Sequence, residues 1–247
     1  MISSEERIGD ITFVTITDTG FNHLLNKTPN QDSVGYKVLD EDFVLAVSDG
    51  VGSCIKAKIG SEAAVISAKK VFSDIRGKEK NIDLYEIVNR LINEWKLLLN
   101  QENLDDCCAT LNVIMKFGNR LLLFSIGDGF IAVTSGDMEI CSPDDNTLFA
   151  NQTLCLCKTV NVKDFWIMET TLNNNNSYVV FVCSDGVANG IQEGKEMELV
   201  KEIETKISIK EIRQELESLV LELSEFSSDD RTVGVVKYAR KDEEINW

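Results

Sequence analysis

The sequence predicts an α+β layered sandwich. Runs of Val, Ile, Leu and Phe alternate with short Gly, Asn or Asp turns, which favours antiparallel hairpins. Amphipathic stretches occur in two pairs instead of singly between strands, which disfavours a doubly wound parallel sheet. The 247 residues, 43% of them hydrophobic, suffice for one large domain or two small ones. Because no Pro/Ser-rich linker divides the chain, we expect a single domain over residues 1–247.

Ten strands are expected, and hairpin turns are predicted where Gly118-Asn119 and Gly136-Asp137 separate neighbouring runs. Each run is rich in β-branched, leucine or aromatic residues and is bounded by turn residues. The runs cover 11–17, 33–38, 43–48, 108–117, 120–126, 130–135, 138–141, 165–170, 178–184 and 232–238.

Four helices are expected over 60–75, 84–98, 196–206 and 209–224. Their apolar residues recur at spacings of three and four, as in Leu84, Ile87, Val88, Leu91 and Trp95 of the second helix. Such stripes are typical of helices that cover a core, and we interpret Trp95 as a core residue.

The charge balance excludes some partners. Asp and Glu number 41 against 25 Lys and Arg, a net charge of −16. Nucleic acid and anionic membranes are bound through excess Lys and Arg, so neither is expected as a partner. The first residues are too polar for a signal peptide and no apolar run reaches the length of a membrane span, so we expect a cytoplasmic protein.

The seven cysteines are interpreted as reduced thiols, because the number is odd and several lie in apolar runs. Cys155-Leu156-Cys157 could begin a zinc site, but no second ligand pair follows at a suitable spacing. Cys54 and Cys183 adjoin the acidic motifs described next, and we interpret both as packing residues rather than nucleophiles.

Acidic residues occur at five strand ends or turns. Ser-Asp-Gly-Val occurs twice, each time after a strand-like run, and glycine there permits a sharp turn or a close approach. Each Asp-Gly alone is explained by turn chemistry. Two such ends that met in space could hold a hard cation through oxygen ligands. The five are Asn30-Gln31-Asp32, Asp49-Gly50, Gly127-Asp128-Gly129, Asp185-Gly186 and Asp229-Asp230-Arg231-Thr232-Val233.

The order of these motifs closely resembles that of the metal-dependent type 2C serine/threonine protein phosphatases. The resemblance runs from about residue 15 to 238 and implies two antiparallel sheets packed face to face and flanked by helix pairs, a four-layer α/β/β/α sandwich. A divergent bacterial-type member is indicated, because Gly20-x-x-His23 precedes Asn30-Gln31-Asp32.

The resemblance also implies the roles of individual residues. Asp49 would bridge two Mg²⁺ or Mn²⁺ ions, and the Gly50 carbonyl would bind one of them. Asp185 and Asp229 would be terminal ligands, and Asp32 would bind directly or through water. Asp128 matches a third, weaker metal position of some bacterial members. Asp230 is expected behind these ligands, and carboxylate and carbonyl oxygens suit hard cations better than zinc.

The implied activity is hydrolysis of phosphoserine and phosphothreonine in proteins, through attack of a water activated by the two ions. We expect a signalling enzyme that acts as a monomer on a phosphorylated protein. The 137–164 region is a candidate for a variable flap that sets specificity, with an ordinary connection as the alternative.

Three departures from the family pattern bear on activity. Lys27 replaces the usual phosphate-binding Arg, Gln31 replaces Glu, and Val51 stands where eukaryotic members often have His. We hypothesise that His23 binds phosphate or acts as general acid, the alternative being an ordinary loop histidine. A pseudophosphatase that binds phosphoprotein or metal without turnover, and an interaction domain with structural Asp-Gly turns, are the competing interpretations.

Overall fold

A computed structural model describes residues 1–79, 82–143, 154–173 and 175–239. The described strands are β1 Ile2–Ile8, β2 Ile11–Asp18, β3 Ser33–Leu39, β4 Asp42–Ser48, β5 Leu111–Phe117, β6 Arg120–Ile126, β7 Phe130–Ser135, β8 Met138–Cys141, β9 Trp166–Thr171, β10 Tyr178–Cys183 and β11 Arg231–Tyr238. The described helices are α1 Phe21–Asn26, α2 Ala57–Ile75, α3 Leu84–Leu98, α4 Asp185–Ala188, α5 Glu196–Thr205 and α6 Ile209–Leu223.

The strands form two sheets in which every described pair is antiparallel. The first sheet has the order β1-β2-β11-β10-β7-β8, and the second has the order β3-β4-β5-β6-β9. The last long strand, β11, lies between β2 and β10, with Val233 opposite Ile16 and Cys183. This insertion brings the motif around Asp229 next to strand ends that are far away in the sequence.

The inner faces of the two sheets pack against each other. Phe13 of the first sheet and Phe43 of the second are fully buried, and their rings meet edge to face with centroids 5.6 Å apart. Leu45 and Val180 belong to the same apolar cluster. The expected pair of sheets packed face to face is therefore confirmed.

Helices cover both outer faces. Trp95 of α3 is fully buried against the second sheet, and its indole N–H donates to the Gly60 carbonyl at 3.0 Å. On the first sheet, Ile203 of α5 and Leu216 of α6 are fully buried. Burial of such side chains contributes about 1.5–3 kcal/mol each. The predicted four-layer α/β/β/α sandwich is thus confirmed.

Four elements differ from the sequence prediction, among them the one-turn helix α4, which was not expected after β10. β1 was not expected, because its residues are polar and mostly exposed on an edge strand. The short helix α1 occupies what was expected to be a loop, and none of its residues is buried, so it has no apolar stripe to reveal it. β5 begins at Leu111 rather than Cys108, because Ala109 forms isolated bridges with Gly50 and Leu156. Elsewhere the predicted elements agree to within a few residues.

Among the described helices, none is both long enough and apolar enough to cross a membrane.

Candidate active site

Acidic residues from both sheets converge at one end of the sandwich. In the second sheet, Asp32 precedes β3 and Asp49 follows β4; in the first, Asp185 follows β10 and Asp229 precedes β11. Asp128 lies in the turn from β6 to β7 that connects the two sheets. Their carboxylates are close enough that the charges of Asp32, Asp185 and Asp229 all act on Asp49.

Asp32 is the most enclosed of these carboxylates, with 2% of its surface exposed. Its backbone N–H donates to Asn30 Oδ1 at 2.8 Å, and its Oδ2 accepts from Ser184 Oγ at 2.7 Å. Its other oxygen, Oδ1, is buried with no hydrogen-bond partner in the described structure. Burial raises the pKa of Asp32, an effect that the neighbouring Asp49 carboxyl and the hydrogen bond from Ser184 only partly offset.

Asp49 is fixed through its backbone. Its N–H donates to Thr110 Oγ1 at 2.9 Å, and its carbonyl accepts from the Thr110 N–H at 2.8 Å. Burial, followed by the charges of Asp32 and Asp185, raises the pKa of Asp49 well above its ordinary value. The backbone therefore holds this carboxylate where neighbouring negative charge opposes its ionisation.

Gly50 is required by close packing. A Cβ atom at this position would lie 2.6 Å from the backbone carbonyl carbon and oxygen of Ala57 at the start of α2. Gly52 differs, because its Cβ would meet only Gln31 Oε1, at 4.0 Å. The sequence prediction of a close approach next to Asp49 thus has a specific partner, the first turn of α2.

Asp185 opens the short helix α4 directly after β10. Burial, together with the charges of Asp229 and Asp32, raises its pKa to about 7. Its Oδ1 is buried without a hydrogen-bond partner among the described residues. Gly186 next to it is required, since a Cβ would lie 1.9 Å from the Asp230 carbonyl oxygen.

The other two predicted ligands lie nearer the surface. Asp229 is exposed, and its Oδ1 accepts the N–H of Asp230 at 2.9 Å. Asp128 is half-buried between Gly127 and Gly129, whose φ angles of +91° and +89° favour glycine. Both residues are thus held by tight backbone turns at the rim of the acidic centre.

The acidic centre has the donor types that a hard divalent cation needs. Among the described residues, one buried carboxylate oxygen each of Asp32 and Asp185 has no hydrogen-bond partner, and the mutual repulsion of these carboxylates would be relieved by positive charge. Gln31 adds a third unpartnered buried oxygen, Oε1. In the described part of the chain, no three His, Cys, Asp or Glu side chains already surround a common ion position. The donors therefore fit magnesium or manganese, although side chains would turn toward an ion on binding.

Asp230 organises the neighbouring loop. Its buried carboxylate accepts the backbone N–H of Gly20 at 2.7 Å and that of Gln31 at 2.6 Å. His23 Nδ1 lies 2.7 Å from Asp230 Oδ2, and the histidine side chain is 20% exposed. If Nδ1 donates to this carboxylate, Nε2 is the ring nitrogen left for a ligand. Asp230 thus contacts the Gly20 and Gln31 backbone and the His23 ring together, and the histidine expected in a loop lies on α1 instead.

Lys27 ends α1 with a left-handed backbone conformation, φ 54°. Its side chain is exposed, and within the described part of the chain its ammonium group makes no hydrogen bond or ion pair. The structure thus places Lys27 one turn after His23 on the same element. Both remain predictions as phosphate-binding residues.

Some supporting residues were not singled out from the sequence. Lys58 Nζ donates to the Asp32 carbonyl at 2.8 Å, and the buried Arg231 donates to Asp18 Oδ2 at 2.7 Å and to the Asp229 carbonyl at 3.1 Å. Arg231 lies within the motif Asp229-Asp230-Arg231-Thr232-Val233, which was the available sequence signal; no motif pointed to Lys58. Of the candidate flap over 137–164, residues 144–153 lie outside the described residues.

A family profile described as protein phosphatase 2C matches residues 19–220 of the chain. No curated protein sequence gives a match.

Several solved structures share the fold at low sequence identity. A bacterial serine phosphatase has a TM-score of 0.70 at 16% identity, covering 92% of this chain and 97% of its own. The catalytic domain of the serine/threonine protein phosphatase PstP with two manganese ions has a TM-score of 0.64 at 18% identity, covering 92% of this chain and 97% of its own. The serine/threonine phosphatase Stp1 from Staphylococcus aureus has a TM-score of 0.65 at 17% identity, covering 92% of this chain and 94% of its own. At such identities these similarities establish the fold alone.

Proposed function

The chain belongs to the protein phosphatase 2C family, and we propose that it is a Mg²⁺- or Mn²⁺-dependent enzyme that hydrolyses phosphoserine and phosphothreonine in proteins. The observation that carries the proposal is the convergence of carboxylates from both sheets. The pKa values of Asp49 and Asp185 are raised by burial and by neighbouring carboxylates, and among the described residues one buried oxygen each of Asp32 and Asp185 has no hydrogen-bond partner. Without a cation this arrangement is unfavourable, so cation binding is its best physical explanation.

Both sheets contribute residues that would hold two ions, and Asp49 would be a ligand of both ions. A divalent pair supplies water of lowered pKa and offsets the charge of a phosphate monoester. Asp128, at the rim, would serve a third ion. The proposed ligands are Asp32, Asp49, the Gly50 carbonyl, Asp128, Asp185 and Asp229.

The chain's own residues would orient the phosphate. Asp230 fixes the ring of His23 through Nδ1, which leaves Nε2 free to donate to a phosphate oxygen or to the departing serine or threonine oxygen. Lys27, exposed at the end of the same helix, would contribute positive charge without the two-pronged geometry of arginine. In this proposal His23 and Lys27 act as one phosphate-facing element.

A pseudophosphatase is the second candidate. It is favoured by Lys27, Gln31 and Val51, which depart from the family pattern close to the acidic centre. The retained carboxylate set supports the active enzyme instead. We further propose that the chain is one catalytic domain, monomeric and cytoplasmic, and that it acts on a phosphoprotein rather than on nucleic acid or a membrane.

One assay separates the candidates. Hydrolysis of p-nitrophenyl phosphate and of a phosphothreonine peptide is measured with Mn²⁺, with EDTA, and in Asp49→Asn, with Asp137→Asn of the exposed β7–β8 turn as matched control. If the chain is an active phosphatase, turnover should depend on the metal, should be lost in Asp49→Asn and should be kept in Asp137→Asn. Metal binding without turnover would support the pseudophosphatase. If the protein shows no metal binding and no turnover, the motifs have a structural role.

The role of His23 needs its own measurement. His23→Asn is compared with the wild type over a pH–rate profile. If His23 donates a proton, the limb of the profile that reports its ionisation disappears. An unchanged profile and an unchanged KM would remove His23 from the mechanism.

A further inference from the structure

Four cysteines from three separate chain segments lie together beside the acidic centre. Cys54 lies in the turn that follows Gly50, Cys108 lies just before β5, and Cys155 and Cys157 flank Leu156. All four are free thiols and all are partly exposed. The fold therefore supplies the second pair of thiols that the sequence spacing around Cys155 did not reveal.

Backbone pairing sets the geometry of two of the segments. Ala109 and Leu156 exchange both backbone hydrogen bonds, at 3.2 and 2.8 Å. The register of this isolated bridge puts Cys108 and Cys157 directly beside it, on the two facing segments. Cys155, two residues from Cys157, lies close enough to Cys108 and Cys54 for all three neighbouring thiols to act on its ionisation.

Cys54 joins the cluster through a shared acceptor. The Sγ atoms of Cys54 and Cys108 both donate to the Asp105 carbonyl oxygen, at 3.3 and 3.5 Å. The turn is held there because the Val51 N–H donates to the Cys108 carbonyl at 3.0 Å. Cys54, Cys155 and Cys157 all act on the ionisation of Cys108, so the four partly exposed thiols lie near one another.

The cluster opposes ionisation of its own thiols. Burial, followed by the proximity of Cys157, raises the pKa of Cys155 to about 11, and burial together with Cys54 also raises that of Cys108. A cation would reverse this, since thiolates are stabilised by a nearby positive charge.

We propose that Cys54, Cys108, Cys155 and Cys157 bind one soft divalent cation of the zinc class through four sulfur ligands. Four thiolates satisfy the tetrahedral coordination of a structural zinc site. Each thiol would lose its proton to the solvent, so that one ion and four thiols give a tetrathiolate complex and four protons. As at the acidic centre, no three described side chains already surround a common point, so the partly exposed thiols would turn about their Cα–Cβ bonds.

Such an ion would link three pieces of chain near the acidic centre. It would tie the turn after Asp49-Gly50 to the start of β5 and to the segment around Leu156. The inference does not depend on phosphatase activity, because it concerns other ligands and a different class of cation.

The test uses the full chain, reduced and stripped of metal, with excess Mg²⁺ present to occupy the acidic centre. One equivalent of Zn²⁺ should slow alkylation of the four cysteines by at least about tenfold. Cys141, exposed on β8 and outside the cluster, should react at an unchanged rate. Mass spectrometry of the peptides reads each site in the wild type, so no variant has to fold.

Cobalt provides a second readout. Co²⁺ should give thiolate charge-transfer absorption at one ion per chain, and Cys108→Ser and Cys155→Ser should each weaken binding by at least about tenfold. Cys141→Ser should bind like the wild type. Unprotected cysteines, absorption that survives both substitutions, or a disulfide among the four in the purified protein would overturn the proposal.

Discussion

Asp185→Asn should stabilise the metal-free protein at alkaline pH, although it removes a proposed ligand. The pKa of Asp185 is raised from 3.8 to about 7 by burial and neighbouring carboxylates. Asparagine keeps the shape of the side chain and removes the charge. The substitution therefore isolates the electrostatic cost of assembling the acidic centre.

The magnitude follows from the raised pKa. A carboxyl with an ordinary pKa of 3.8 and a folded-state value of about 7 costs about 4 kcal/mol of stability above pH 7. The folded protein holds this proton more tightly than the unfolded chain does. Stability is therefore lost as pH rises from about 4 to about 7, and about 3 kcal/mol of that loss falls between pH 5 and pH 8.

The assay is urea unfolding in EDTA at pH 5 and pH 8, for the wild type, Asp185→Asn and the exposed-turn control Asp137→Asn. We expect the free energy of unfolding of Asp185→Asn to exceed that of the wild type by a few kcal/mol at pH 8 and by clearly less at pH 5. Asp137→Asn should have the same stability as the wild type. Saturating Mn²⁺ should reverse the order at pH 8, because only the wild type keeps the full ligand set. Equal stability of Asp185→Asn and wild type at pH 8, or a difference that does not depend on pH, would refute the reasoning.

Three further outcomes are expected. Gly50→Ala should lower the melting temperature and abolish Mn²⁺-induced stabilisation, because its Cβ would overlap the start of α2, whereas Gly52→Ala should behave like the wild type in the same scan. Ser184→Ala should cost about 1–3 kcal/mol in urea unfolding, since Asp32 Oδ2 loses its donor, and a cost near zero would mean that water replaces the hydroxyl. Asp230→Asn should reduce kcat for a phosphothreonine peptide and alter the pH–rate profile while Mn²⁺ affinity changes little, and a wild-type profile would contradict its positioning role.

Local sequence patterns predicted most of the fold. The stripe around Trp95 and the runs that became β4 and β10 are local signals, because a residue's neighbours decide whether its apolar side chains share one face. α1 and β1 were not predicted for the same reason, since neither buries an apolar stripe.

By itself the sequence determined which carboxylates end strands or occupy turns, and it placed Asp49 and Asp185 after the strands that carry them. Only the tertiary structure decided which groups meet. The hydrogen bonds from Gly20 and Gln31 to Asp230 join residues about 200 positions apart, and they exist because β11 inserts between β2 and β10. The approach of Cys54 and Cys108 to Cys155 likewise depends on long-range pairing, here at Ala109. Spacing along the chain carries no such information, because strand order is fixed by packing of whole sheets rather than by neighbouring residues.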